Sequence, residues 1–155
     1  MLADITNYYQ MTDRVGTSGQ PTPAQFSDIA TAGFETVINL AMPDGDNALS
    51  DEGAVVSRLG MTYIHIPVPW ESPDLKHLNQ FIAVMKATEP AKVWVHCVVN
   101  ARVSAFNYHY LKSCLGLPEA ACRSPLLNKW EPEMDPVWRQ FLAIPAEQME
   151  GFASA

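Results

Sequence analysis

The chain of 155 residues carries a formal net charge of −7, and 48% of its residues are apolar. Its length predicts one domain, residues 1–155, with a core large enough to fold without disulfides. An acidic surface repels nucleic acids and anionic membranes, so neither is an expected partner, and any phosphate site must be local. Three cysteines and an N-terminus without a basic or apolar leader are typical of a cytoplasmic protein.

Strand and helix patterns alternate along most of the chain. Short apolar or β-branched runs predict strands at 14–17, 35–40, 61–66 and 92–96. Apolar periodicity predicts helices at 3–10, 23–33, 50–59, 75–88 and from 101 to about 116. Thr22 and Gln25 have the spacing of a capping box, and Ser50 is the expected cap of the helix that follows it.

This alternation predicts an α/β domain with a mostly parallel sheet of four to five strands and helices on both faces. Residues 117–150 are predicted to form a helical cover in which Trp130 and Trp138 pack on the core. Ligands of such sheets bind at the carboxyl ends of the strands, and the strand at 92–96 ends directly before Cys97.

The segment VWVHCVVNARVSAF, residues 93–106, places a strand, Cys97, a short loop, Arg102 and a helix in that order. The loop contains no proline, so each of its amides keeps an N–H that can bind one anion. The predicted phosphate-binding groups are the amides of Val98, Val99, Asn100, Ala101, Arg102 and Val103, together with the Arg102 guanidinium.

The same positive field acts on the cysteine. Helix N-termini and nearby cations favour the ionised form of a thiol, and a thiolate is a good nucleophile for phosphorus. Cys97 is therefore the predicted nucleophile, with no metal or other cofactor required. The alternative is a buried structural thiol, since free cysteine is often a small core residue.

The segment resembles the signature loop of the cysteine-based protein tyrosine phosphatases and dual-specificity phosphatases. His96, Cys97 and Arg102 match that pattern, although four residues separate Cys97 from Arg102 where the common pattern has five. Asn100 stands nearest the place of the usual glycine, and asparagine tolerates a positive φ. The short loop is similar to that of a small bacterial phosphatase-like branch, a domain of unknown function.

That branch shares three further elements with the chain, SGQPTP-x-Q, VINL and SAF-x-Y, here at 18–25, 37–40 and 104–108. The resemblance covers residues 15–112. It implies a three-layer protein tyrosine phosphatase-like fold and hydrolysis of a phosphorylated small molecule or phosphoprotein through a cysteinyl-phosphate. Phosphate, sulfate and vanadate are the implied site ligands.

The resemblance also implies roles for side chains around the loop. Counted from Cys97, Ser104 stands where the family hydroxyl assists departure of the thiolate, but it is equally an ordinary first-turn residue. A general acid is expected in the loop 67–74, with Glu71 as first choice and Asp74 as second; Asp44 and Asp46 lie in an earlier loop. Trp70 and His96 are the expected pocket wall. Covering the core fits Trp70 equally well, and His96 fits equally well as a satisfied strand-end residue or as a group that tunes the thiolate through backbone hydrogen bonds.

Two other functions fit the pattern. The shortened loop and the unassigned acid also suit a phosphate-binding module with weak or absent catalysis. A strand, cysteine, loop and helix serve sulfurtransferases and arsenate reductases as well, although an arginine at a fixed distance after the cysteine favours phosphorus chemistry.

Overall fold

In a computed structural model that describes residues 1–150, the chain forms three layers, with a five-stranded sheet between two layers of helices. The strands are β1 (Tyr9–Gln10), β2 (Val15–Ser18), β3 (Thr36–Asn39), β4 (Thr62–His65) and β5 (Val93–His96). Their order in the sheet is β1-β2-β5-β3-β4, and only β1 is antiparallel to its neighbour. The predicted mostly parallel α/β sheet is therefore confirmed.

Within residues 1–150, six α-helices connect and cover the strands. They are α1 (Pro23–Thr31), α2 (Glu52–Arg58), α3 (Leu75–Ala87), α4 (Ala101–His109), α5 (Pro125–Trp130) and α6 (Pro136–Leu142). A π-helical turn, Tyr110–Cys114, extends α4. No helix within residues 1–150 is both long and apolar enough to cross a membrane.

The two faces of the sheet bury separate apolar clusters. On one face, Phe26 and Ile29 of α1 and Val56 of α2 pack with Trp94. The larger cluster on the other face joins α3, α4, α5 and α6, and it contains the fully buried Trp138, with Trp130 packed against it. Helices α5 and α6 thus pack on this face of the sheet.

Local capping signals explain two helix starts and fail at a third. Thr22 and Gln25 form the predicted capping box, with the Gln25 N–H 3.2 Å from Thr22 Oγ1. Asp74 caps α3. The prediction of Ser50 as the cap of α2 is wrong, because Asp51 occupies the N-cap position there, without a side-chain hydrogen bond.

The predicted helix at 3–10 is also wrong. A single 3-10 turn covers Leu2–Asp4, and residues 9–10 then pair with β2 in the strand β1. Tyr8 stacks on Trp94 with ring centroids 5.3 Å apart. Pairing with β2 and stacking on the sheet outweigh the weak helical propensity of this short segment.

Strand β5 occupies the centre of the sheet, between β2 and β3, and runs parallel to both. Its last residue, His96, is followed at once by Cys97 and the loop that leads into α4. The topology therefore places the predicted phosphate-binding segment at the carboxyl end of the central strand, where ligands of parallel sheets bind.

Candidate phosphate-binding site

The loop from Cys97 to Asn100 turns sharply before α4 begins at Ala101. Asn100 has φ 76° and ψ 4°, which is the left-handed conformation. Asparagine tolerates this region better than other non-glycine residues, so the predicted left-handed turn is confirmed. The turn brings the N-terminus of the nine-residue helix α4 back toward the end of β5.

Three consecutive carbonyl oxygens of the loop face hydrogen-bond donors. Those of Cys97, Val98 and Val99 lie 3.3 Å from His96 Nδ1, 3.0 Å from the Gln20 amide nitrogen and 2.8 Å from Asn7 Nδ2, respectively. Because C=O and N–H point in opposite directions in a trans peptide, the amides of residues 98–100 are turned away from these donors. Within residues 1–150 these three amides have no backbone acceptor, so they are available to an anion.

Gly19 allows the Ser18–Gln20 segment to lie directly against this loop. A Cβ at Gly19 would lie 2.5 Å from the Val98 oxygen and 3.1 Å from Val99 Cα. The Gly19 N–H bonds to the Thr6 carbonyl at 2.7 Å, so the N-terminal segment is held beside the loop as well. Only a residue without a side chain fits between the two.

Cys97 is fully buried and belongs to the larger apolar cluster. Its amide nitrogen lies 3.4 Å from the Ser18 carbonyl, which extends the β2–β5 pairing by one residue. Cys97 is thus the first residue of the loop whose amides are free, but its thiol is shielded from solvent.

Arg102 lies in the first turn of α4 with only 8% of its surface exposed. Its buried Nε has no hydrogen-bond partner, and no carboxylate within residues 1–150 forms an ion pair with it. The guanidinium carbon lies 5.3 Å from the centre of the Trp70 ring, which is a cation–π contact. A buried guanidinium nitrogen without a partner suits an oxyanion.

The C-terminal helices hold Trp70 in this position. Its ring lies 5.5 Å from that of Trp130 and 5.1 Å from that of Trp138, and Trp138 Nε1 donates to the Trp70 carbonyl at 2.9 Å. The loop 67–74 is therefore anchored beside the guanidinium. The structure brings Trp70 and Arg102 together, and the role of Trp70 as a pocket wall stays a prediction.

The two candidate acids and the Ser104 hydroxyl lie in different surroundings. Glu71 is exposed and directly follows Trp70, so it stands in the loop beside Arg102. Asp74 is exposed and caps α3, accepting from the Lys76 amide at 3.1 Å. Ser104 is buried, and its hydroxyl donates to the Ala101 carbonyl at 2.6 Å. The roles of these three side chains stay predictions.

A second loop borders the site from the side of β3. A Cβ on Gly45 would lie 3.8 Å from Val98 Cγ2, so Asp44 and Asp46 flank a point of contact with the phosphate-binding loop. Both carboxylates are exposed. Residues 44–46 thus lie beside the phosphate-binding loop, which their distance from it in sequence did not indicate.

The His96 side chain is buried against α1 and is not exposed as a wall of the pocket. Successive strand residues point to opposite faces, so Cys97 enters one cluster while His96 packs edge-on against Phe26 of α1, with centroids 5.9 Å apart. Its Nε2 lies 2.5 Å from Glu52 Oε2, and both side chains are buried. Gln20 donates to the other Glu52 oxygen at 2.9 Å.

Three residues of this arrangement were not predicted from the sequence: Asn7, Gln20 and Glu52. Gln20 lies in the SGQPTP element, which was a usable signal. Asn7 and Glu52 stand in segments without any recognisable motif. No three His, Cys, Asp or Glu side chains of the described part of the chain gather as metal ligands would.

Comparison with known proteins identifies the family of this chain. Residues 7–109 match the family described as beta-lactamase hydrolase-like protein, phosphatase-like domain. The beta-lactamase hydrolase-like protein of Xylella fastidiosa (strain Temecula1) is 32% identical over 94 residues, which is 58% of this chain. The match spans only 21% of that longer protein.

Solved structures agree in fold. A phosphatase-like DUF442 protein from Shewanella putrefaciens CN-32 is 34% identical, with a TM-score of 0.82 over 91% of both chains. TpbA from P. aeruginosa, a variant solved in complex with phosphotyrosine, is 16% identical, with a TM-score of 0.65 over 94% of this chain and 86% of its own. The fold is that of the protein tyrosine phosphatase-like enzymes, and the chain belongs to the family of phosphatase-like domains of beta-lactamase hydrolase-like proteins.

Proposed function

We propose that this protein hydrolyses phosphotyrosine or small phosphomonoesters through a cysteinyl-phosphate intermediate on Cys97. The observation that carries the proposal is the orientation of the loop: three of its carbonyls are hydrogen-bonded to surrounding residues, and the amides of the same peptides have no acceptor. A row of free amides ahead of a helix N-terminus is a site for an oxyanion.

The proposed reaction has two steps. The Cys97 thiolate attacks phosphorus, the bond to the ester oxygen breaks, and Glu71 gives that oxygen a proton. Water then gives a proton to the Glu71 carboxylate and attacks the phosphoenzyme, the sulfur–phosphorus bond breaks with release of phosphate, and the Ser104 hydroxyl assists the departing thiolate. In both steps charge on the phosphoryl oxygens is stabilised by the loop amides and Arg102, which are already in place.

The surroundings of Arg102 favour an aromatic ester. The Trp70 ring stands against the guanidinium, and Val99 of the loop is 46% exposed. Both offer apolar surface to a substrate ring next to the phosphate. TpbA, whose solved complex contains phosphotyrosine, shares the fold.

The test is hydrolysis of an activated aryl phosphate by the protein and by Cys97→Ser. Wild-type turnover that orthovanadate inhibits and Cys97→Ser abolishes is the expected result; full activity of Cys97→Ser would refute the mechanism. Single Glu71→Gln, Asp74→Asn, Asp44→Asn and Asp46→Asn variants identify the acid. Its loss slows hydrolysis of an ester with a poor leaving group by about 10²–10⁴ and spares an activated one.

Full burial of Cys97 favours a second candidate, a phosphate-binding module without efficient turnover. In that case phosphate or sulfate raises the unfolding temperature, and Arg102→Lys weakens this effect because lysine lacks the two-pronged donor. Turnover of the aryl phosphate by the wild type, lost in Cys97→Ser, would exclude the module.

A further inference from the structure

Glu52 is a buried carboxylate that the proposed reaction does not use. It is the first residue of α2 and is 4% exposed. Burying a carboxylate costs several kcal/mol unless partners compensate, and an apolar residue of similar size is often as stable. Its two oxygens meet Gln20 Nε2 at 2.9 Å and His96 Nε2 at 2.5 Å. The carboxylate thus joins the SGQPTP element to the end of β5.

The two acceptors around His96 define the orientation of its ring. Nδ1 lies 3.3 Å from the Cys97 carbonyl, and because a carbonyl can only accept, we assign the hydrogen of this bond to Nδ1. Nε2 lies 2.5 Å from Glu52 Oε2. The two contacts together hold the imidazole with Nδ1 directed at the Cys97 carbonyl.

Neighbouring groups complete the enclosure of the carboxylate. Burial raises the pKa of Tyr63 in β4 to about 12, and Glu52 adds to the rise. Asn39 of β3 donates to the Tyr63 hydroxyl at 3.0 Å. Both groups are uncharged near neutral pH, so neither of them offers Glu52 a charged partner.

We infer that Glu52 is a positioning residue that acts through His96 on the phosphate-binding loop. It holds the imidazole so that Nδ1–H bonds to the Cys97 carbonyl, and this orients the Val98 N–H toward the bound phosphoryl group. The inference rests on the proposed function. It predicts that neutralising Glu52 impairs the loop without removing any group that touches substrate.

The experiment uses Glu52→Gln, with the exposed carboxylate variant Glu35→Gln as the matched control. The amide of glutamine can present either an oxygen or an N–H to His96, so the tautomer is no longer enforced. We expect kcat on an activated aryl phosphate to fall about tenfold or more in Glu52→Gln, since small misplacements of catalytic groups have effects of this size. Glu35→Gln keeps the wild-type rate.

Alkylation of the three cysteines, followed by mass spectrometry, separates positioning from loosening of the fold. Positioning predicts slower alkylation of Cys97 and weaker protection of it by inorganic phosphate, with Cys114 and Cys122 unchanged as internal references. Faster alkylation of all three would show a purely structural role and overturn the inference. If Glu52→Gln does not fold, Gln20→Met, which removes one hydrogen-bond partner of the carboxylate, provides the same readouts with a smaller expected effect.

A double-mutant cycle tests the route through His96. The Glu52→Gln His96→Asn double variant should be no slower than His96→Asn alone, because residues that act in series are not additive. Additive losses would overturn the inference. A wild type without turnover and without phosphate protection of Cys97 would refute the proposed function itself, whereas an active wild type matched by Glu52→Gln would refute only the role of Glu52.

Discussion

Replacing Gly19 by alanine tests whether the segment beside the loop sets its geometry. The new Cβ would lie 2.5 Å from the Val98 oxygen, 3.0 Å from Thr6 Cγ2 and 3.1 Å from Val99 Cα. Two of these three atoms are backbone atoms of the phosphate-binding loop, so no side chain can rotate away to relieve the contact with them. The loop itself must move.

The cost follows from the contacts that move. Overpacking of this kind destabilises a protein by about 1–3 kcal/mol. For a chain of this size that is a fall in unfolding temperature of several degrees. Displacement of the Val98 carbonyl also breaks its 3.0 Å bond to the Gln20 amide and turns the Val99 N–H. Loss of one donor to a developing oxyanion lowers kcat by about 10²–10³.

The assay is hydrolysis of an activated aryl phosphate well below the unfolding temperature, with Gly45→Ala as control. A Cβ on Gly45 would meet the Met42 oxygen at 3.5 Å and Val98 Cγ2 at 3.8 Å, which are ordinary contacts. Gly45→Ala should therefore keep wild-type activity and stability. Equal kcat values for Gly19→Ala and Gly45→Ala would refute the reasoning.

Three further predictions address the turn, the aromatic support and a buried histidine. Asn100→Ala at φ 76° should lose about 1–2 kcal/mol more in urea unfolding than Asn100→Gly, because only glycine is free of left-handed strain; equal losses would contradict this. Trp70→Leu should weaken competitive inhibition by phosphate about fivefold, whereas Trp70→Phe, which keeps a ring, should lose less. Burial lowers the pKa of His109 below its ordinary value of 6.5, so below that pH the unfolded state binds a proton that the folded state does not. The unfolding temperature should therefore fall as the pH drops from about 7 to about 5.5, and less steeply in His109→Gln; an unchanged slope would count against the assignment.

The sequence predicted the site best where the signal was local. The β-branched run before Cys97, the fixed spacing to Arg102 and the tolerance of Asn100 for a positive φ are all properties of one continuous segment. Such a segment adopts its turn and helix start largely through its own backbone preferences. The capping box at Thr22 and Gln25 was predictable for the same reason.

The two wrong predictions, the Ser50 cap and the helix at 3–10, also concern short segments, but the local sequence determines their structure only weakly. Ser50 and Asp51 are both good N-caps, and composition alone does not choose between adjacent candidates. The segment at 3–10 has little helical preference, and its pairing with β2 depends on contacts that no periodicity records. These errors left the topology unaffected, since the alternation of the longer elements decides it.

The amino-acid sequence by itself determined the fold class and the order of strand, Cys97 loop, Arg102 and helix. Only the tertiary structure showed what holds the loop in shape: Asn7 bonds to Val99 across 92 residues, and Glu52 reaches His96 across 44. The reason is physical. Backbone preferences act between near neighbours, whereas the partner of a buried polar group is chosen by the sheet that brings distant segments together.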